Sequence, residues 1–347
     1  MTTLKDIFDQ PQAIEFIRAA WTADRLPHGL IFAGPVGVGK GTTALALAGV
    51  FLCFEPRIDP QDHLPMPCGS CESCRLMQAQ THPDYHRVFR QLIRLDKDTS
   101  KAIDLSIDVI REHLLVPANR KSTLMHGKVF VIEEAELMNT AAQNALLKTL
   151  EEPYGKTLLI LLTDQPSLLL PTIHSRCQQV RFSSLSRERV IEQLRNRGIE
   201  TADATDAADF ADGSLGLALR WIEDGVIPHA RRLNVLLKRI LTQPNPDASE
   251  LQELITSAAA EYAEKQIDRD NLASKAQATR EGLLIYLKLS AQVLRQQLRQ
   301  TTDPDALERL CAGIDAIARA ENYIDSNVNT SLVFQQLAIA LEGQLLA

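Results

Sequence analysis

Short apolar runs punctuate the first half of the chain, and helical spacing fills the second. Gly29-Leu30-Ile31-Phe32 leads into a glycine-rich stretch and then the helix-like run Thr43–Leu52. Lys128-Val-Phe-Val-Ile132 is apolar and ends in the acids Glu133, Glu134 and Glu136. Thr157 to Leu170 reads as a strand plus loop, interrupted by Thr163, Asp164, Gln165 and Pro166. Runs that are apolar throughout, rather than alternating, belong to parallel strands buried on both faces. Residues 104–116 space their apolar positions as an amphipathic helix does. From Arg231 onward Leu233, Leu237 and Ile240, then Leu283, Leu287 and Leu294, recur at helical intervals. Gly225 to Pro228 marks a boundary, Pro244 and Pro246 break one helix, and Asp303-Pro304 starts another. The pattern predicts an α/β first part and a helical remainder.

Size and composition narrow this. At 347 residues the chain should form two or three domains. Its 45% hydrophobic content supports real cores, and only 5% aromatics alongside abundant Ala and Leu favours helices. A net charge of -7 argues against a chain that grips DNA alone, because such proteins are usually basic. Any nucleic-acid role is then shared with partners. Met1-Thr2-Thr3-Leu4-Lys5-Asp6 does not read as a signal peptide, and no apolar stretch is long enough to span a bilayer. The expectation is a soluble cytoplasmic protein with no membrane association.

The first candidate chemistry lies between the opening strand and its helix. Gly34-Pro-Val-Gly37-Val-Gly39-Lys40-Gly41-Thr42 sits in the strand–loop–helix context of a phosphate-binding loop. Its glycines let backbone N–H groups converge on phosphate oxygens, and the helix N-terminus adds its positive end. Lys40 can reach the β- and γ-phosphates of ATP, or the β-phosphate of ADP, and Thr42 can bond an α-phosphate. Gly41, however, stands where a Ser or Thr normally holds Mg²⁺.

Four of the six cysteines are grouped: Cys53, Cys68, Cys71 and Cys74. In a reducing compartment this spacing reads as a closed, structural Zn²⁺ site, with a redox pair plus spare thiols as the alternative. The Pro- and Asp-rich segment from Phe54 to Pro67 could hardly order itself without such a staple. His63 and His82 are nearby alternative ligands, and Cys177 and Cys311 read as buried packing residues. At the acidic end of the second run, a nucleotide-binding strand usually finishes Asp-Glu. Here Glu133 replaces the Asp, displacing its carboxylate from octahedral Mg²⁺ geometry, while Glu134 keeps the water-polarising chemistry. Alternatively, both acids simply open the next helix. Arg87, Arg90, Arg94, Lys97 and Lys101 form a local basic excess that fits either a solvated face or a surface for phosphates or acids.

Several segments together carry a resemblance. Asn144-Ala-Leu-Leu-Lys-Thr-Leu-Glu-Glu-Pro153, Leu170-Pro-Thr-Ile-His-Ser175-Arg176-Cys177, and Thr81-His-Pro-Asp-Tyr85 after the cysteines are similar to bacterial clamp-loader AAA+ subunits of DNA polymerase III. The likeness covers residues 1 to about 225. It implies a RecA-like AAA+ P-loop module over 1–181 with a zinc-binding insertion at about 53–74. A small helical lid over 182–226 and an all-α collar over 227–347 would complete the chain. It also implies a hetero-pentamer with gamma/tau- and delta-type subunits that loads a sliding clamp onto primed DNA. Arg176 would be an arginine finger acting in trans, Glu134 a residue acting in cis, and Thr163 a first sensor. By itself, Arg176 reads equally as a local ion-pair partner. Gly216 stands where motor subunits carry a second-sensor Arg, and His174 where relatives often carry Arg. With Gly41 and Glu133, these departures point to the family's stationary subunit, its own ATPase weak or absent. An active gamma-type motor and a nucleoside monophosphate kinase are the competing readings.

Overall fold

The computed structural model describes residues 2–96, 104–242, 249–269, 274–326 and 328–343. Lys97, Lys101, Pro244 and Pro246 lie outside them. Two compact units are present: residues 1–186 with 213–217, and residues 187–212 with 218–347. Among the described residues no helix is long and apolar enough to cross a membrane.

In the first unit α1 (Pro11–Thr22) precedes β1 (Gly29–Ala33) and α2 (Lys40–Leu52). A small hairpin of β2 (Arg57–Ile58) and β3 (Pro65–Met66) leads to α3 (Glu72–Gln78) and β4 (Tyr85–Val88). Short helices α4 (Ile93–Asp96), α5 (Ile107–Ile110) and α6 (Val116–Ala118) follow. Then come β5 (Lys128–Ile132), α7 (Thr140–Glu151), β6 (Thr157–Thr163), α8 (Pro171–His174) and β7 (Gln178–Arg181). The main sheet runs β4-β5-β6-β1-β7 and is parallel throughout.

The apolar runs form its inner strands, and both faces are covered. Leu30, Phe32, Val129, Val131, Leu158 and Ile160 point into one core with Ile17 of α1 and Leu47 of α2. Their neighbours Ile31, Ala33, Phe130, Ile132, Leu159 and Leu161 point into the other, with Ile110 and Leu146. Period-two alternation between two buried faces is what a continuously apolar strand encodes. Helix α2 starts at Lys40, ahead of the expected Thr43, because Gly39 at φ +106° lets the chain enter the helix directly from the loop.

The amphipathic helix expected over 104–116 begins at Ile107 and widens into a π turn at Arg111–Leu115. Pro117, which offers no N–H to the ladder, sits just beyond that turn. Buried Lys128 closes this helix by donating to the carbonyls of Pro117, Ala118 and Arg120.

The second unit is helical. It holds α9 (Arg187–Asn196), α10 (Thr201–Phe210), the later residues of α11 (Leu215–Glu223), α12 (Val226–Thr242), α13 (Ser249–Arg269), α14 (Lys275–Leu298), α15 (Pro304–Asp325) and α16 (Thr330–Gly343). Leu233, Leu237, Ile240, Leu283, Leu287 and Leu294 are all buried, as their spacing requires. Helices α13 and α14 approach so closely that a Cβ at Gly282 would lie 2.9 Å from Ala259 Cα. The boundary expected at Gly225–Pro228 is tighter than that. Only Asp224 and Gly225 form the turn, and Pro228 falls in the first turn of α12, where its missing N–H leaves no bond unmade. Asp303 caps α15, accepting from Ala306 N–H at 3.2 Å. Cys311 is exposed rather than a packing residue, because it lies on the outer face of α15.

Candidate functional site

The glycine loop joins β1 to α2 at the end of the sheet where strand C-termini gather. Gly34 N–H donates to Thr163 O at 3.1 Å, tying the loop to β6. Gly216 N–H donates to Gly37 O at 2.9 Å, so the 213–217 segment lies directly on the loop. A Cβ at Gly37 would fall 2.3 Å from Ser214 Oγ, and one at Gly216 would fall 2.7 Å from Gly37 O. Both residues must be glycine for the two backbones to touch. At Gly41 a Cβ would meet only Leu162 Cδ1, at 3.8 Å. A Ser or Thr would therefore fit at 41, whereas an Arg at 216 would part the contact.

Lys40 Nζ donates to Gly34 O and to Pro35 O, the latter at 2.7 Å. Burial pushes its pKa down, and the carboxylates of Asp164 and Glu136 act in the opposite direction. Gly41 and Thr42 are exposed on the first turn of α2.

The acids after β5 are ion-paired to the chain's own arginines. Arg87 Nε donates to Glu133 Oε1 at 2.7 Å, and Arg90 Nε lies 3.0 Å from Glu134 Oε2. Two members of the basic run are thus paired with these acids, Arg87 while still largely exposed and Arg90 mostly covered. The hydrogen bond to Glu133 raises the Arg87 pKa. Glu134 does directly precede a helix, the short 3-10 turn Ala135–Leu137, whereas α7 starts only at Thr140 behind its Asn139 cap. Glu134 sits at φ +51°, a left-handed conformation that strains a residue with a side chain.

Two carboxylates act on Lys40, Glu136 and Asp164, and the sequence pattern assigns neither a role. Glu136 lies on the short 3-10 turn Ala135–Leu137 beside buried Thr163, whose Oγ1 also accepts from Gln165 N–H at 3.1 Å. Burial raises the Glu136 pKa, a Thr163 hydrogen bond opposes the rise, and neighbouring Asp164 adds to it. A folded-state pKa above the unfolded value means that ionised Glu136 opposes folding. That opposition holds at neutral pH and fades as pH falls through the folded pKa toward the unfolded one. Glu136→Gln should therefore raise the melting temperature at pH 7.5 by about 2–4 °C, the scale of ~1 kcal/mol in a unit of this size. Partial exposure keeps the effect small. The gain should shrink at pH 4.5, and a lower melting temperature at pH 7.5 would contradict the assignment.

Arg176 follows α8. Its Nε donates to Glu151 Oε1 at 2.8 Å, with NH2 on the same oxygen. NH1 donates to Thr172 O and to Ser175 Oγ, each at 3.0 Å. The side chain keeps 31% of its surface exposed. His174 is tied to Pro166 O at 2.8 Å.

The four grouped cysteines converge, every Sγ lying within 4.8 Å of the others. Cys53–Cys71, Cys68–Cys74 and Cys74–Cys53 separations are 4.0, 3.9 and 3.7 Å. A tetrahedral ion with metal–sulfur bonds of about 2.3 Å places its sulfurs about 3.8 Å apart, so the arrangement could hold a metal. Backbone N–H groups of Ser70 and Cys71 bring the Cys68 thiol down to about 6, whereas burial pushes Cys53 and Cys74 up. His82 is committed elsewhere. Its Nδ1 accepts from Asp84 N–H at 3.1 Å, which leaves Nε2 to bond Ser73 Oγ at 3.0 Å. Ser73 in turn donates to Leu52 O, pinning α3 to the end of α2. His63 is exposed and outside the group. Cys177 packs beside the second core, where burial lifts its thiol to about 12.

A parallel sheet with a glycine loop between β1 and α2 defines a P-loop α/β protein, here carrying a thiol cluster and a helical second unit. Residues 9–186 match the family described as DNA polymerase III, delta subunit. The chain is 27% identical over 340 residues to the DNA polymerase III subunit delta' of Bacillus subtilis (strain 168), covering 96% of each. It is 35% identical over 206 residues to that of Escherichia coli (strain K12), covering 59% of this chain and 57% of the relative. A gamma subunit-related protein of Thermotoga maritima superposes with a TM-score of 0.46 at 18% identity, over 96% of this chain and 99% of that one. The chain belongs to the DNA polymerase III delta subunit family and, within it, to the delta-prime clamp-loader subunits.

Proposed function

We propose that this chain is the stationary subunit of its clamp loader, and that Arg176 completes the ATP site of a neighbouring motor subunit. The supporting observation is the contact of Gly216 on Gly37, which leaves no space for the Arg a motor carries at that position. Gly41 offers no Mg²⁺ ligand, and Glu133 and Glu134 are paired to Arg87 and Arg90. Gly34, Gly37, Gly39, Lys40 and Thr42 still form a nucleotide cradle, so ATP or ADP can bind without efficient turnover. Thr163, buried against Glu136, stays a sensor only by orienting that carboxylate. On this reading the family's three-part plan applies: an AAA+ module, a lid, and a collar that joins gamma/tau- and delta-type subunits in a five-membered ring. The ring would load the sliding clamp onto primed DNA. The four thiols hold Zn²⁺, which would supply folding energy and no chemistry.

The gamma-type motor reading needs an open second-sensor position and a hydroxyl ligand for Mg²⁺ after the loop lysine, and here position 216 is closed and position 41 has no side chain. The kinase reading has no support in the delta-prime family. Measuring ATP hydrolysis by the chain alone, then with tau/gamma- and delta-type subunits, tests the proposal. Alone, turnover should lie roughly a hundredfold or more below the motor's, the scale of losing one electrostatic contributor. Together the subunits should assemble and load clamp. An isolated chain that hydrolyses ATP at the motor's rate would overturn the reading.

A further inference from the structure

Every nitrogen of the Arg176 guanidinium has a partner, and the strongest partner is a residue from another element. Glu151 ends α7, and its Oε1 takes both Nε and NH2. Thr172 O and Ser175 Oγ take NH1. The backbone beneath is fixed as well, with Arg176 N–H bonded to Ile173 O at 3.1 Å and Arg176 O packed against Gly29 of β1. A free arginine would sample many rotamers, and each encounter with a phosphate would have to select one. Here a carboxylate selects the rotamer in advance while the side chain stays partly exposed.

We infer that Glu151 is a positioning residue for Arg176, holding the guanidinium in the orientation it uses on a neighbour's nucleotide. The inference rests on the arginine-finger reading above. Two effects oppose each other. Glu151 orients Arg176, but it also partly neutralises a charge that a γ-phosphate would use. The exposure of the pair, 31% for Arg176 and 49% for Glu151, decides between them. A solvent-exposed ion pair shifts an equilibrium by a factor of about five at most, so release is easy and the orienting effect dominates.

The test is the stimulated ATPase of a tau/gamma-type subunit mixed with the full chain. Glu151→Ala should lower kcat by about threefold to fivefold, the most such a pair can bias a rotamer, while the KM for ATP stays unchanged because the effect falls on the transition state. Glu151→Gln keeps an acceptor oxygen and should recover much of the loss. In the Arg176→Ala background, Glu151→Ala should change nothing further, because its influence passes through a side chain no longer present. If Arg176→Ala is defective but Glu151→Ala and Glu151→Gln both match the unsubstituted chain, the positioning role is wrong and the finger stands. The positioning role is equally wrong if Glu151→Ala costs as much with Arg176 absent as with it present. If Arg176→Ala stimulates as well as the unsubstituted chain, the finger itself is wrong and the positioning role falls with it.

Discussion

If Arg176 is the arginine finger proposed above, Arg176→Ala is expected to lower ATP turnover by about 10³–10⁵-fold at the neighbour's site, the usual contribution of such a residue. The complex should still assemble. Two features make the residue suited to work in trans. Its side chain is partly exposed, and its backbone is tied to α8 and lies against β1. Its removal leaves only the half-exposed Glu151 without a partner, a loss of less than about 1 kcal/mol. The variant should therefore melt within a few degrees of the unsubstituted chain, and lost activity would not be lost folding. Arg176→Lys keeps the charge but loses the planar fork, and should recover only part of the rate. In the proposed ring, other ATP sites would keep turning over. The measurement therefore belongs in the minimal pair of this chain with one tau/gamma-type subunit, and equal stimulation by both forms there would refute the finger.

Much of this is legible in the sequence because it is local. Gly29–Phe32, Lys128–Ile132 and Thr157–Thr163 read as buried strands since both faces of each are apolar, and the sheet covers both. The glycine loop and the four cysteines declare themselves by spacing alone. What stays hidden depends on distant parts of the chain meeting. In sequence Gly216 is only a missing arginine, and its approach to Gly37 shows that any side chain there is excluded. Arg87 and Arg90 read as part of a basic patch, yet strand pairing of β4 with β5 sets them beside Glu133 and Glu134. Cys311 sits at a helical position whose face no pattern over a few residues could assign. Glu151 belongs to a run matched for its family likeness, but its partner comes from a different loop.

Removing the metal, or replacing a buried ligand by Cys74→Ser, is expected to unfold the 53–78 segment while the main sheet stays intact. The other anchors in that segment are few: Leu64 and Met77 reach the first core, and buried Asp59 accepts from Lys5 Nζ at 2.5 Å. Strands β2 and β3 have two residues each, too few for a hairpin to stand in water. The seven-residue α3 is too short to persist by itself. The Ser73 bond to Leu52 O contributes about 1 kcal/mol, whereas a structural Zn²⁺ site can supply on the order of 10 kcal/mol. Burial pushes the Cys53 and Cys74 thiols up, so an ion must offset the cost of deprotonating them in place. Because binding needs thiolates, the ion should also be released as pH falls, in step with protonation of the ligands. Hydrogen exchange with and without chelator reads this directly. Protection should vanish across α3 and the hairpin and persist in β1, β5 and β6, with one Zn²⁺ released per chain. The exposed Cys311→Ser should leave both unchanged. Protein that carries no metal when purified, or a 53–78 segment equally protected after chelation, would show that the thiols pack without an ion and that the fold there rests on His82, Ser73 and Asp84 instead.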